Sequence, residues 1–235
     1  MKKYFWTSLA IILLSIGGVI AQAHAGNNSL TDEEASEGWQ LLFNGEDLSQ
    51  WRNFKSDALN DKWVVEDGAM TLTGKGGGDI LTRQAYKNFD LRLEWKISEG
   101  GNSGIFLLVD EEGKQIYSHA PEIQILDNER HSDRKIDSHR SGSLYDMIAA
   151  HPSSYKPAGE WNQVRILFRD RFLQVWQNNV MTVNIYMDTT TWDTLVKASK
   201  FRRWKGFAEA DSGHIGLQDH GDRVSFKNIS IRELD

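Results

Sequence analysis

The chain has 235 residues, a formal net charge of −6, nine tryptophans and no cysteine. That length is enough for one sizeable core. Disulfides and thiol catalysis are excluded, and the acidic balance speaks against nucleic acid, which wants a basic face.

In chain order, Lys2-Lys3, the apolar run Leu9 to Ile20 and the small-residue step Ala23-His24-Ala25 follow the pattern of a secretory signal peptide. Residues 1–25 are therefore expected to be removed and the protein to be exported, to the periplasm or beyond. A membrane anchor is disfavoured, because the run is shorter than the roughly 20 residues a spanning helix needs. Removal takes away Lys2 and Lys3 and no acidic residue, so the exported form is more acidic still. Residues 26–37 are expected to be a disordered lead-in, and 38–235 a single domain.

Within that domain the signals are those of strands. Phe89, Leu91, Leu93, Trp95 and Ile97 alternate with Asp90, Arg92, Glu94 and Lys96, a period of two that buries one face. Similar runs occur at 62–65, 69–73, 104–109, 122–126, 161–168, 172–177, 181–187, 214–218 and 223–232. Turn formers such as Glu66-Asp67-Gly68, Gly76-Gly77-Gly78 and Asn178-Asn179 separate them. Many short strands with hardly any helical period predict an all-β fold, a sandwich or barrel. Two stretches depart from this pattern: the charged loop 128–140, and 188–210, where a short helix is expected around Trp192 to Ser199.

Tryptophan stacks well on sugar rings, which points weakly to carbohydrate. Trp63, Trp95 and Trp161 lie on apolar strand faces and are expected in the core; Trp51, Trp192 and Trp204 are better placed to meet a ligand. In Pro121-Glu122-Ile123-Gln124-Ile125-Leu126-Asp127, Ile123 and Ile125 turn inward. Glu122 and Gln124 then stand together on the other face, with Asp127 at the strand end. Such a group suits acid/base work, although a plain solvent-exposed strand face would look the same. Asn102-Ser103-Gly104 and Gln218-Asp219-His220-Gly221 are polar turns at sheet rims. His220 is the histidine best suited to titrate near neutrality, against the plainer reading of a hairpin turn. His131, Asp133, Asp137, His139 and Arg140 match no trusted metal spacing, and a solvated loop is preferred there. There is no Gly-x-Ser-x-Gly elbow.

Taken together, several segments resemble the 3-keto-disaccharide hydrolase domain family across most of the chain. They are Gly38-Trp39 through Leu42-Phe43-Asn44-Gly45 to Trp51, Asn102-Ser103-Gly104-Ile105-Phe106, Glu122 to Asn128, Gly142 to Tyr145, Gly159-Glu160-Trp161-Asn162, and Gly216 to Gly221 followed by Phe226 to Ile229. The resemblance implies a jelly-roll β-sandwich of two antiparallel sheets, similar to concanavalin A-like lectins and laminarinases, whose concave face binds sugar. It also implies action on an oxidised glucoside or disaccharide. Gln124 stands where laminarinase-like enzymes carry a carboxylate, which argues against the two-carboxylate glycosidase route.

A 3-keto sugar needs only one base at C2, donors for the enolate oxygen and an acid for the leaving group. The expected catalytic residues are Glu122, Asp127 and His220, with Glu122 or His220 as base. Asn102, Gln124, Arg140, Tyr145 and Gln218 are expected to bind substrate, with Tyr145 or Asp127 as acid. No cofactor is demanded, and a divalent cation stays open. A non-catalytic carbohydrate-binding module on the same face is the alternative.

Overall fold

A computed structural model describes residues 27–235. The expected signal peptide lies outside the described residues. Among them, no helix is long and apolar enough to cross a membrane.

The strands are β1 (Trp39–Leu41), β2 (Trp51–Asn53), β3 (Trp63–Glu66), β4 (Ala69–Leu72), β5 (Ile80–Thr82), β6 (Phe89–Ile97), β7 (Asn102–Val109), β8 (Glu122–Leu126), β9 (Asn162–Arg169), β10 (Phe172–Gln177), β11 (Val180–Tyr186), β12 (His214–Leu217) and β13 (Val224–Glu233). They form two antiparallel sheets. One runs β11-β10-β9-β6-β13-β4-β3, with β1 also on β13; the other runs β2-β5-β12-β7-β8. The expected two-sheet sandwich is what forms. Its core is the shared inner face, where Phe89, Leu91, Leu93, Trp95 and Ile97 of β6 lie beneath Ile105, Leu107, Ile123 and Ile125 of the other sheet, all buried.

Asp170-Arg171 and Asn178-Asn179 have positive φ at both positions and join β9 to β10 and β10 to β11. This is the twist-matched turn of a two-residue hairpin.

The lead-in, described from residue 27 onward, is not disordered. Thr31 and Glu34 form a reciprocal capping box on helix α1 (Asp32–Ser36). Glu34 bonds Arg92 at 3.0 Å. Upstream, Asn28 and Asn228 exchange bonds of 2.7 and 2.8 Å through each other's backbone N–H and side-chain oxygen. The Thr31-x-x-Glu34 signature was present in the sequence and offers a better account than disorder.

β1, β2 and β5 are three residues each, too short to show a period. Helix α2 (Thr190–Ala198) forms where a helix was expected. The tryptophans sort differently from expectation. Trp63 and Trp95 are buried as predicted; Trp51 and Trp192, expected to be better placed to meet a ligand, are buried too. Trp51 plugs the core, its Nε1 donating to Leu42 O at 2.7 Å. Trp161 is half-buried on the outer face, with Lys96 and Lys227 over its ring at 4.9 and 4.5 Å.

Candidate active site

The site lies on the outer face of the five-stranded sheet. In the β7/β8 register Phe106 opposes Glu122 and Gly104 opposes Gln124, and Gln218 N–H donates to Gly104 O at 3.0 Å. Directly opposed residues of an antiparallel pair share a face, so Gln218, Gly104 and Gln124 form one row with Glu122 and Asn102 beside it. Gly104 leaves room for Glu122: a Cβ at that position would run into the Glu122 carboxyl, which lies across the glycine and would have to shift.

Neither Glu122 nor Gln124 faces open solvent; they are 7% and 1% exposed. Residues 142–145 run along β8 like a further strand, with Tyr145 N–H donating to Glu122 O at 2.9 Å and Gln124 N–H to Ser143 O at 3.0 Å. Both polar atoms of the Gln124 carboxamide, Asn102 Oδ1 and Gln218 Oε1 are buried without a hydrogen-bond partner among the described residues. Buried amide groups are normally satisfied. Three of them on one face therefore leave a set of donors and acceptors without a partner among the described residues.

Further side chains close over Glu122 from loops distant in sequence. Lys200 Nζ sits 4.1 Å from the ring centre of Tyr145, 5.1 Å from that of Phe201 and 5.7 Å from that of Trp204. Asp146 holds this loop, accepting from Lys200 N–H at 2.7 Å with one oxygen and lying 2.9 Å from His139 Nε2 with the other. The His139 ring stacks on Tyr145 at 4.3 Å, and the Asp133 carboxylate is near enough to act on the Tyr145 phenol electrostatically.

Burial pushes the Glu122 carboxyl up, to about 8; Asp79 and Asp133 add to the rise, and Lys200 opposes it. Lys200 is lowered by its own desolvation, against the pull of Glu122, Asp146 and Asp133. Tyr145 is raised by burial and by the same carboxylates, so its phenol keeps its proton. Asp79, whose Oδ1 accepts from Asp219 N–H at 2.9 Å, is raised by burial to about 6.

Asn102, Glu122, Gln124, Tyr145 and Gln218 thus come together as expected, and three other residues do not. Asp127 is fully buried in its own turn, accepting from Gly100 N–H at 2.7 Å, Glu129 N–H at 2.9 Å, Arg130 N–H at 3.3 Å and Tyr155 Oη at 3.2 Å. Burial would raise its pKa, yet these bonds outweigh it and hold it low. It is an anchor with no valence left for an acid's work. Arg140 points outward, bonding Arg134 O at 2.8 Å and Asp137 at 3.0 Å. His220 is exposed at the rim, edge-on to His131 at 6.1 Å.

Asp79, Asp146 and Lys200 went unrecognised in the sequence, while Asp133 and His139 were weighed only as metal ligands and read as part of a solvated loop. The loop read as solvated supplies the 9% exposed His139, and only the glycine triplet before Asp79 gave a local cue. Among the described residues no three His, Asp or Glu side chains are grouped to hold a metal ion.

Replacing Asp127 with Asn is expected to lower thermal stability by about 1–3 kcal/mol, since an amide cannot accept all of those bonds. Turnover measured well below the melting temperature is expected to stay within a few-fold of the parent. An unchanged melting temperature with turnover lost would return Asp127 to the chemistry.

Comparison with known proteins bears on the family and the fold. The model of the 3-keto-alpha-glucoside-1,2-lyase-like domain matches residues 38–232. A Bacteroides thetaiotaomicron protein named 3-keto-disaccharide hydrolase is 38% identical over 231 residues, covering 85% of this chain and 80% of that protein. Among solved structures, a candidate glycosyl hydrolase from Parabacteroides distasonis superposes with a TM-score of 0.83 at 32% identity, covering 89% of this chain and 100% of that one. A Bacillus subtilis protein with a galectin-like fold gives a TM-score of 0.53 at 9% identity, covering 88% of this chain and 94% of that one, a likeness of fold alone. The chain therefore belongs to the 3-keto-alpha-glucoside-1,2-lyase-like domain family and is an enzyme that breaks glycosyl bonds.

Proposed function

We propose that this enzyme cleaves 3-keto-glycosides outside the cytoplasm by elimination followed by hydration, with Glu122 as the base. The observation that carries the reading is the buried Glu122 carboxyl beside unpartnered amides and one cation. A two-carboxylate glycosidase would need a second acid on the strand, where Gln124 stands.

The carbonyl at C3 acidifies the C2 hydrogen. Glu122 takes that proton, and the C–H electron pair forms the C2–C3 enolate, whose negative oxygen is met by the Lys200 ammonium. The pair then returns to restore the carbonyl and forms the C1–C2 double bond as the C1–O bond breaks. The departing oxygen receives a proton from Tyr145, whose raised pKa keeps it supplied. Addition of water across C1–C2 gives the free 3-keto sugar. Asn102, Gln124 and Gln218 hold ring hydroxyls in the orientation that this sequence requires. The family match and the 3-keto-disaccharide hydrolase relative support the same substrate class, and the leader-like N-terminus supports export.

Incubating the protein with a 3-keto glucoside bearing a chromogenic leaving group, beside its unoxidised parent, tests this directly. Release is expected from the keto compound alone. Equal release from both would mean ordinary glycoside hydrolysis, and binding without release would make the protein a carbohydrate-binding module.

A further inference from the structure

On the far side of the molecule, the outer face of the eight-stranded sheet carries a cleft of about 210 Å³ that plays no part in the site above. Its floor is set by strand register. Trp176, Arg165, Arg92 and Ser230 stand opposite one another across β10, β9, β6 and β13, while Gln163, Glu94 and Lys227 form the neighbouring row. Trp176 is half-buried at one end, with the Arg165 guanidinium 5.3 Å from its ring centre.

Every charge at this cleft is already answered within the protein. Arg165 makes a two-pronged bond to the buried Asp90 at 2.8 and 2.7 Å. Arg92 bonds Glu34 at 3.0 Å, and Lys227 lies 3.6 Å from Glu94. A phosphate or carboxylate ligand would find no cation free to receive it. What remains is an indole with the Arg165 guanidinium over its ring, the Gln163 carboxamide, whose Nε2 also donates to Glu94 at 3.4 Å, and the Asn179 and Ser230 side chains. That is the surface a pyranose wants: an apolar face for its C–H side and fixed donors and acceptors for its hydroxyls.

We propose that this cleft is a second, non-catalytic binding site for a neutral oligosaccharide, with one sugar ring against Trp176 and its hydroxyls on Gln163 and Asn179. Because it opens on the sheet opposite Glu122, a glycan held here does not occupy the catalytic pocket. The site tethers the enzyme to a glycan-rich surface instead.

The test is electrophoresis of the whole chain through gels containing laminarin, dextran or mixed-linkage β-glucan, with Trp176→Ala and Gln163→Ala beside the parent. At least one glucan is expected to retard the parent. Trp176→Ala is expected to weaken that retardation about tenfold, equivalent to roughly 1.4 kcal/mol, and Gln163→Ala to weaken it less. Turnover of the small chromogenic 3-keto glucoside is expected to stay within about twofold in both variants, since neither residue lies near Glu122. Parent migration unaffected by all three glucans overturns the proposal, as does retardation that survives in Trp176→Ala or turnover lost along with it. Failure of the 3-keto reading would instead appear as a parent that does not cleave the keto glucoside, whatever its migration.

Discussion

Glu122→Gln is expected to lower kcat by about 10²–10⁴-fold, the span that a positioned general base supplies, without loss of the fold. Gln has the same shape, so it lies over Gly104 as Glu122 does and leaves the β7/β8 ladder in place. A stability measurement separates the chemical role from a structural one. Burial raises the Glu122 carboxyl from 4.5 to about 8. The stability linked to its proton is therefore full below 4.5 and lost as pH rises through about 8. The parent is expected to lose more melting temperature than the variant between pH 5 and pH 9, because only the parent has to ionise a buried carboxyl. In the active enzyme the same titration makes kcat/KM climb with pH and level off above about 8. Turnover by Glu122→Gln within threefold of the parent would remove Glu122 as the base. A kcat/KM that falls through pH 8 would make it an acid.

Lys200→Met is expected to cost about 10²–10³-fold in kcat, the loss seen when one preorganised oxyanion partner is removed. It also moves the pH profile. Lys200 favours the charged form of Glu122 against the dominant effect of burial, so without it the carboxyl titrates at higher pH and the rise in kcat/KM shifts in the alkaline direction. The fold is expected to survive, since the loop is held through the Lys200 backbone N–H on Asp146 rather than through its ammonium. A side chain that merely packs among Tyr145, Phe201 and Trp204 would instead lower the melting temperature and leave the profile where it is.

The two-sheet sandwich was legible because its long strands alternate cleanly. On β6 every second residue is apolar, and all five are buried. The same pleat logic puts Glu122 and Gln124 on one face, with Ile123 and Ile125 turned to the core. Local chemistry also marked the hairpin turns at Asn178-Asn179, and it would have marked α1 had Thr31-x-x-Glu34 been given its weight.

A period of two assigns side chains to opposite faces, but it says nothing about what covers the second face. That was decided by tertiary structure. Residues 142–145 and the loop ending at Lys200 close over β8, turning a face that could have been solvated into one where Glu122 is 7% exposed. Lys200, Asp146, His139 and Asp79 are distant in the chain and reach the site only through loop packing, which has no sequence period to read. Asp127 and Arg140 have the right chemistry and adjacent positions, yet nearby backbone N–H and C=O groups claim their side chains. By itself the sequence determined which residues share a strand face. Only the folded structure decided which of them are buried together, because burial, and with it the raised carboxyl of Glu122, depends on contacts between segments far apart in the chain.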